Sequence, residues 1–313
     1  MSRILTFLLI FVFCGFGQEL ELISSDIDNF WRAYDEGTSS GNRVEAFQRL
    51  YLDAASPGLR DFVRLRIGSA SALAAAVERY PKFYESIRKS TQSIEGQRKV
   101  MQLYASRFRG LYPETRFPPV YFLIGRLSSG GTLSDNGLLI GAEVFALGPD
   151  VDASEIAEQN PAFYRAMGTS LKLPHIVMHE LVHAQLALRT QPRIPDLLTR
   201  VLIEGAADFV ANAVTGRTAL ESRADFAQVN RDELLAKFQE DLVRTPGDIS
   251  GWLYNYSTVG VSKPADLGYW IGEEICRDYF AQALDKQEAL RNILTMRDPE
   301  GIVRGSSFAY LIP

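Results

Sequence analysis

The chain holds three histidines, and all of them fall within nine residues, at His175, His179 and His183. The last two frame the pentapeptide His179-Glu180-Leu181-Val182-His183. On a helix, positions i and i+4 lie about one turn apart on the same face. Both imidazoles can therefore converge on one metal ion, with Glu180 beside its open coordination position. A further carboxylate follows in Glu204-Gly205-Ala206-Ala207-Asp208, twenty-one positions after His183. Glu204 can complete the set as a third protein ligand. Asp208, one turn on, can accept a hydrogen bond from the outer nitrogen of a ligating histidine and fix its tautomer. Two His and one Glu leave a fourth position free. That is the ligand set of a catalytic zinc, since structural sites are closed by four protein ligands, and one Zn2+ per chain is expected. His175 cannot join them. It lies eight residues from His183, about 12 Å of rise on a straight helix, whereas nitrogens bonded to one zinc at roughly 2.0–2.1 Å are only a few ångström apart. A cleft-lining or surface place is expected for His175.

Two helices must carry these side chains. Pro174 can occupy the first turn of a helix running to about Leu188, and Gln191-Pro192-Arg193-Ile194-Pro195 then forms a turn. A second helical pattern runs from Asp196 to about Val214. Helices joined by so short a loop pack antiparallel, and Gly205 and Ala206 would keep the second one slim where the two approach. Upstream, Val120 to Ile124 and Gly137 to Phe145 are β-prone, with Ser128-Ser129-Gly130-Gly131-Thr132 and Ser134-Asp135-Asn136-Gly137 between them. This predicts a hairpin with a long polar loop. The glycines lack a following Lys and no helical pattern opens at once, which excludes a nucleotide phosphate loop. Residues 18–112 read as helical, with Asp26 as a cap for a helix carrying Ile27, Phe30, Trp31 and Tyr34 on one face. Further helical patterns run over Val44–Leu52, Leu59–Ile67, Ala70–Tyr80 and Ile94–Phe108, with breaks at Gly37 to Gly41, Ser56-Pro57-Gly58 and Tyr80-Pro81. The expected class is α+β and predominantly helical. A helical region over 18–116 precedes a metal-bearing core over 117–313, and the two can form one domain.

Composition sets the outer bounds. Over 313 residues, 46% are hydrophobic and 23% charged, ordinary globular values that exclude wholesale disorder. With 33 Lys+Arg against 38 Asp+Glu, the net charge of −5 argues against a nucleic-acid partner. The first seventeen residues read as a secretory signal peptide: Arg3 supplies a positive start, Ile4 to Phe13 an apolar run, and Gly15 and Gly17 a cleavage site before Gln18. The run is too short to cross a bilayer of roughly 30 Å, and no later segment is apolar enough to span one. The expectation is an exported protein, periplasmic or extracellular, with no transmembrane span in the mature chain. Cys14 ends the apolar run and leaves a lipoprotein anchor as the alternative, although Phe13 stands where such a site wants a small residue. Cleavage would leave Cys276 as the one cysteine, so no internal disulfide can form. Its apolar helical surroundings (Ile271, Ile275, Tyr279) predict a buried, unreactive thiol.

At the zinc-ligand pattern the chain resembles the gluzincin metallopeptidases, which join H-E-x-x-H on one helix to a downstream Glu ligand on the next. More narrowly it is similar to bacterial families of zinc-dependent proteases whose downstream helix reads E-G-x-A-D. That likeness takes in Asp28-Asn29-Phe30-Trp31, Val120 to Thr132 and Leu267-Gly268-Tyr269-Trp270-Ile271-Gly272 as well. The resemblance implies His179, His183 and Glu204 as zinc ligands, Glu180 as general base and Asp208 as the partner that orients a ligand histidine. It implies a peptide or protein substrate laid along the edge of a strand upstream of the zinc helix, here the 137–145 strand. Many gluzincins add a later His or Tyr that stabilises the oxyanion. No histidine follows His183, so a tyrosine or an arginine must serve; Tyr269 is the candidate, with Tyr254 and Tyr256 competing. The function implied is hydrolysis of peptide bonds by zinc-activated water. The alternatives are a zinc-stabilised, non-catalytic peptide-binding or envelope-assembly protein and, nearer, a hydrolase of a non-peptide amide.

Overall fold

The computed structural model describes residues 19–168, 172–187, 196–216, 221–260 and 263–312. The leader read over 1–17, Cys14 within it and the turn over 191–195 lie outside the described residues. A two-residue strand, β1 (Leu22–Ile23), leads into α1 (Ser25–Ser40), α2 (Arg43–Phe47), α3 (Pro57–Phe62), α4 (Ala70–Arg79), α5 (Pro81–Ser86), α6 (Arg88–Gln92) and α7 (Arg98–Leu111). α2 and α3 each continue into a turn of wider π-helix, Gln48–Leu52 and Val63–Ile67. The starts are chemically marked. Asn42, Ser56 and Ser69 accept hydrogen bonds from the amides of Glu45, Leu59 and Ala72, satisfying donors that the first helical turn leaves open. Asp26 is not the cap expected. It lies inside the first turn of α1, is buried, and accepts from the Ser56 amide at 3.3 Å, so it ties α1 to the start of α3.

The sheet follows: β2 (Val120–Leu123), β3 (Gly131–Ser134) and β4 (Gly137–Gly141), in the order β1-β2-β4-β3. β2 lies parallel to both β1 and β4, with Val120 opposite Leu138 and Leu123 opposite Gly141. The hairpin is instead β3–β4, antiparallel, with Gly131 opposite Ile140 and Ser134 opposite Gly137. The expected pairing of 120–124 with 137–145 in a hairpin is thus corrected. Every residue of β2 and β4 is buried, as in parallel strands covered on both faces, whereas an antiparallel strand with one wet face would alternate. β4 also ends at Gly141, and Ala142–Phe145 turns as a 3-10 helix. β4 is interior, and the edge strands are β1 and β3: among the described residues no strand pairs the outer side of either.

The remaining helices are α8 (Ser154–Gln159), α9 (Pro161–Gly168), α10 (Leu173–Ala187), α11 (Leu197–Thr215), α12 (Glu221–Val229), α13 (Arg231–Arg244), α14 (Leu267–Gln282), α15 (Lys286–Thr295) and α16 (Pro299–Arg304). The protein is α+β and predominantly helical. Its hydrophobic cluster runs from Leu20 to Leu311 and draws on both sides of the 116/117 boundary. Among the described residues no helix is long and apolar enough to cross a membrane. Cys276 is fully buried, and burial pushes its thiol up, as its apolar setting required.

Gly205 keeps α11 slim, but toward α14 and not toward α10 as expected. A Cβ there would stand 2.0 Å from the Gly272 carbonyl carbon, and one on Gly272 would stand 2.0 Å from the Val201 oxygen. Both obstacles are backbone, so neither can step aside. Gly272→Ala is expected to wedge α11 from α14 and to destabilise by at least about 1–3 kcal/mol, read as a lowered Tm in thermal unfolding.

Candidate metal centre

α10 and α11 bring the chemistry together. Asp196 caps α11 by accepting from the Thr199 amide, and Gly216, at φ 68°, ends it in the left-handed conformation that favours glycine. α10 is apolar on most sides, with Val177, Met178, Leu181 and Val182 fully buried. Gln185 clasps the chain ahead of β2: its amide oxygen accepts from the Arg116 N–H at 3.0 Å and its nitrogen donates to the Arg116 carbonyl at 2.8 Å. The helix bearing the histidines is thereby fixed to the sheet.

His179 and His183 present their Nε2 atoms to each other at 3.0 Å. Glu204 Oε2 lies 3.2 Å from His183 Nε2 and 3.5 Å from His179 Nε2. Three ligand atoms bonded at about 2.0–2.1 Å to one tetrahedral ion stand roughly 3.3–3.4 Å from one another, and the three observed separations bracket that value. The cluster can hold a metal ion. Asp208 Oδ1 receives His179 Nδ1 at 2.8 Å, which leaves the Nε2 lone pair of His179 turned toward the cluster. Burial disfavours a charged imidazole here, yet the Asp208 and Glu204 carboxylates outweigh it and hold His179 well above the ordinary histidine value. Burial likewise opposes a charged Glu204, but His183 and His179 keep it well below the usual carboxylate range. Each shift has the opposite charge as a cause, so the histidines and carboxylates form one coupled, buried cluster.

Glu180 takes no part in the cluster. Its carboxylate lies directly on the backbone of the edge strand β3: a Cβ on Gly131 would stand 2.4 Å from Glu180 Cδ. The 137–145 segment expected to offer a sheet edge is interior as β4, and the strand that meets Glu180 is β3. His175 is neither cleft-lining nor on the surface. It is buried at 2% exposure, its Nδ1 within 2.9 Å of Thr215 Oγ1 on α11.

Tyr269 stacks on the His179 ring at 6.1 Å between centroids, 19° from parallel. The hydroxyl that reaches a ligand is that of Tyr254, which donates to Glu204 Oε1. Tyr254 takes a left-handed conformation, φ 55°, and burial and Glu204 push its phenol up. Its loop is held by a reciprocal pair: the Asn255 amide donates to Asp266 and the Asp266 amide to the Asn255 side chain. Tyr256 lies apart, against Phe163.

Two participants carried no usable sequence signal. Arg223 places its guanidinium 4.9 Å from the Tyr269 ring centroid and 3.7 Å from Asp208 Oδ2, so it braces both supports of His179 at once. It comes from α12, far along the chain, and nothing in its sequence neighbours marks it. Gly131 sat in a stretch read as turn chemistry, although a glycine within a strand is itself a sign of close approach.

Comparison with protein-family models, curated proteins and solved structures finds no match.

Proposed function

We propose that the protein is an exported zinc-dependent metallopeptidase of the gluzincin type. One observation carries this reading. The Glu180 carboxylate, outside the three converging groups, acts electrostatically on His179 and lies on the backbone of an edge strand that, among the described residues, is unpaired on its outer side. An extended peptide added along β3 would bring its carbonyls past that carboxylate. His179, His183 and Glu204 would hold the zinc, which would supply Lewis acidity to the reaction. Glu180 takes the proton as water attacks the peptide carbonyl, then returns it to the leaving amine. Asp208 keeps His179 in the tautomer that offers Nε2, and Arg223 keeps Asp208 in place. For the oxyanion Tyr269 is the candidate with Tyr254 beside it; their rings meet edge to face at 6.4 Å.

The test is metal analysis of the purified protein together with digestion of a broad peptide library. Stoichiometric zinc with cleavage supports the reading. Stoichiometric zinc with no cleavage would mean a zinc-stabilised peptide-binding or envelope-assembly protein. Export carries its own expected outcome: mass spectrometry of the native protein finds an N-terminus at Gln18 and no lipid on Cys14. A diacylated Cys14 would make it a membrane-anchored lipoprotein.

A further inference from the structure

The 3-10 turn after β4 buries a carboxyl with no ion pair among the described residues. Glu143 is 0% exposed, and its side chain points back under the loop that joins β2 to β3. Oε1 accepts from the Leu127 amide at 3.1 Å, and the Gly125 amide and the residue's own N–H also favour the ionised carboxyl. Oε2 is buried without a hydrogen-bond partner. Space for this carboxyl is made by glycines: a Cβ on Gly125 would stand 3.0 Å from Oε1, and one on Gly141 would stand 3.3 Å from Oε2. Leu127 holds φ 60°, a conformation that a leucine adopts only when its surroundings impose it.

The same loop is gripped from outside. Tyr51 Oη donates to the Ile124 carbonyl at 2.8 Å and accepts from the Ile124 amide at 3.0 Å, and Tyr84 Oη donates to the Gly125 carbonyl at 2.9 Å. Arg126 and Ser128 both donate to the Arg66 carbonyl. Phe145, two residues after Glu143, closes over Gly130, where a Cβ would stand 2.6 Å from its ring. The next residue is Gly131, on which the Glu180 carboxylate lies.

We propose that Glu143 is a positioning residue for the edge strand: its buried carboxyl latches the 124–130 loop and so sets Gly131 beneath Glu180. The catalytic part of this rests on the peptidase reading; the latch itself does not. The phenols of Tyr51 and Tyr84 both feel the charge of Glu143, with Asp26 acting on Tyr51 as well and Tyr80 and Arg126 on Tyr84. Burial holds both phenols far above the ordinary range, so neither titrates near neutrality. Burial also raises Glu143 to about 7, against the three amides that favour its ionised form. A carboxyl released into water returns to an ordinary value, so the closed loop binds the proton more tightly than the open one. Ionisation therefore favours opening, and the latch loosens as pH rises through about 7.

Hydrogen exchange over 124–131, corrected for intrinsic rates, tests this without any reference to activity. Between pH 6 and pH 8 opening is expected to become about tenfold more frequent in the wild type, and to show no such pH dependence in Glu143→Gln. The KM for an extended peptide should rise over the same interval in the wild type and stay level in the variant, with metal content equal in both. A wild-type exchange profile flat from pH 6 to 8 would overturn the proposal, and that measurement stands even if the variant fails to fold. So would a variant that keeps the wild-type slope, or one that lowers protection evenly over the whole chain. Absence of cleavage with the exchange result intact would remove the peptidase reading and leave the latch.

Discussion

Glu180→Gln is expected to keep one metal ion per chain and the thermal stability of the wild type, while hydrolysis falls by about 10³–10⁴-fold. That is the upper end of what general acid–base catalysis provides, because in the proposed mechanism one carboxylate would serve both the attack and the departure of the amine. The substitution keeps the size of the side chain and one acceptor, but an amide cannot take the proton. Metal is retained because the three atoms that converge belong to His179, His183 and Glu204. Gly131→Ala provides an independent route to the same defect. Its methyl would stand 2.4 Å from the Glu180 carboxylate carbon, and what must give way is the far end of a flexible side chain, so the fold survives and the base moves. A misplacement of about 1 Å can lose on the order of 10²-fold in rate. Metal analysis, calorimetry and peptide kinetics on the two variants separate base from ligand. Undiminished hydrolysis in Glu180→Gln would mean that the chemistry lies elsewhere in the chain.

The His179–His183–Glu204 cluster was legible in the sequence because its geometry is local. The i, i+4 spacing of His179 and His183 fixes their common face before any tertiary contact forms, and Asp208 follows from Glu204 by the same helical arithmetic. Helix starts were legible where a side chain caps them, as at Ser56-Pro57 and Asp196. Asp26 shows the limit. An acidic residue near a helix start reads as a cap, but Ser56, thirty positions away, claimed its carboxylate. The sheet failed for a similar reason. Two apolar runs separated by turn residues suggest a hairpin, yet their uninterrupted apolarity already favoured strands buried on both faces. The short Gly131–Ser134 segment that takes the free edge has too little pattern to announce itself. Gly205 marks a place of close approach, but a glycine does not say which neighbour comes close, and that neighbour is α14. Arg223 acts through Asp208 and Tyr269, and Glu143 chiefly through the loop around Leu127, so no pattern of neighbouring residues marks either.

Removing a ligand should separate metal binding from packing, and the histidines provide the contrast. His183→Ala and Glu204→Ala are each expected to abolish stoichiometric zinc, since two of the three converging atoms cannot close the site. His175→Ala should keep it: that ring is committed to Thr215 at 2.9 Å and buried between α10 and α11, so its loss lowers Tm without emptying the site. Asp208→Asn is intermediate. It keeps all three ligand atoms but weakens the acceptor that orients His179, which typically lowers metal affinity by about 10–100-fold. Stability reports the same order. A ligand at 100 times its Kd stabilises the folded state by about 2.7 kcal/mol, so added zinc should raise the Tm of the wild type and of His175→Ala. At equal zinc it should raise that of Asp208→Asn less, and leave His183→Ala and Glu204→Ala unmoved. Should His175→Ala empty the site while His183→Ala leaves it filled, the ligand assignment is wrong. The 3.0, 3.2 and 3.5 Å separations around His179, His183 and Glu204 would then describe a buried ion-pair cluster instead of a metal centre.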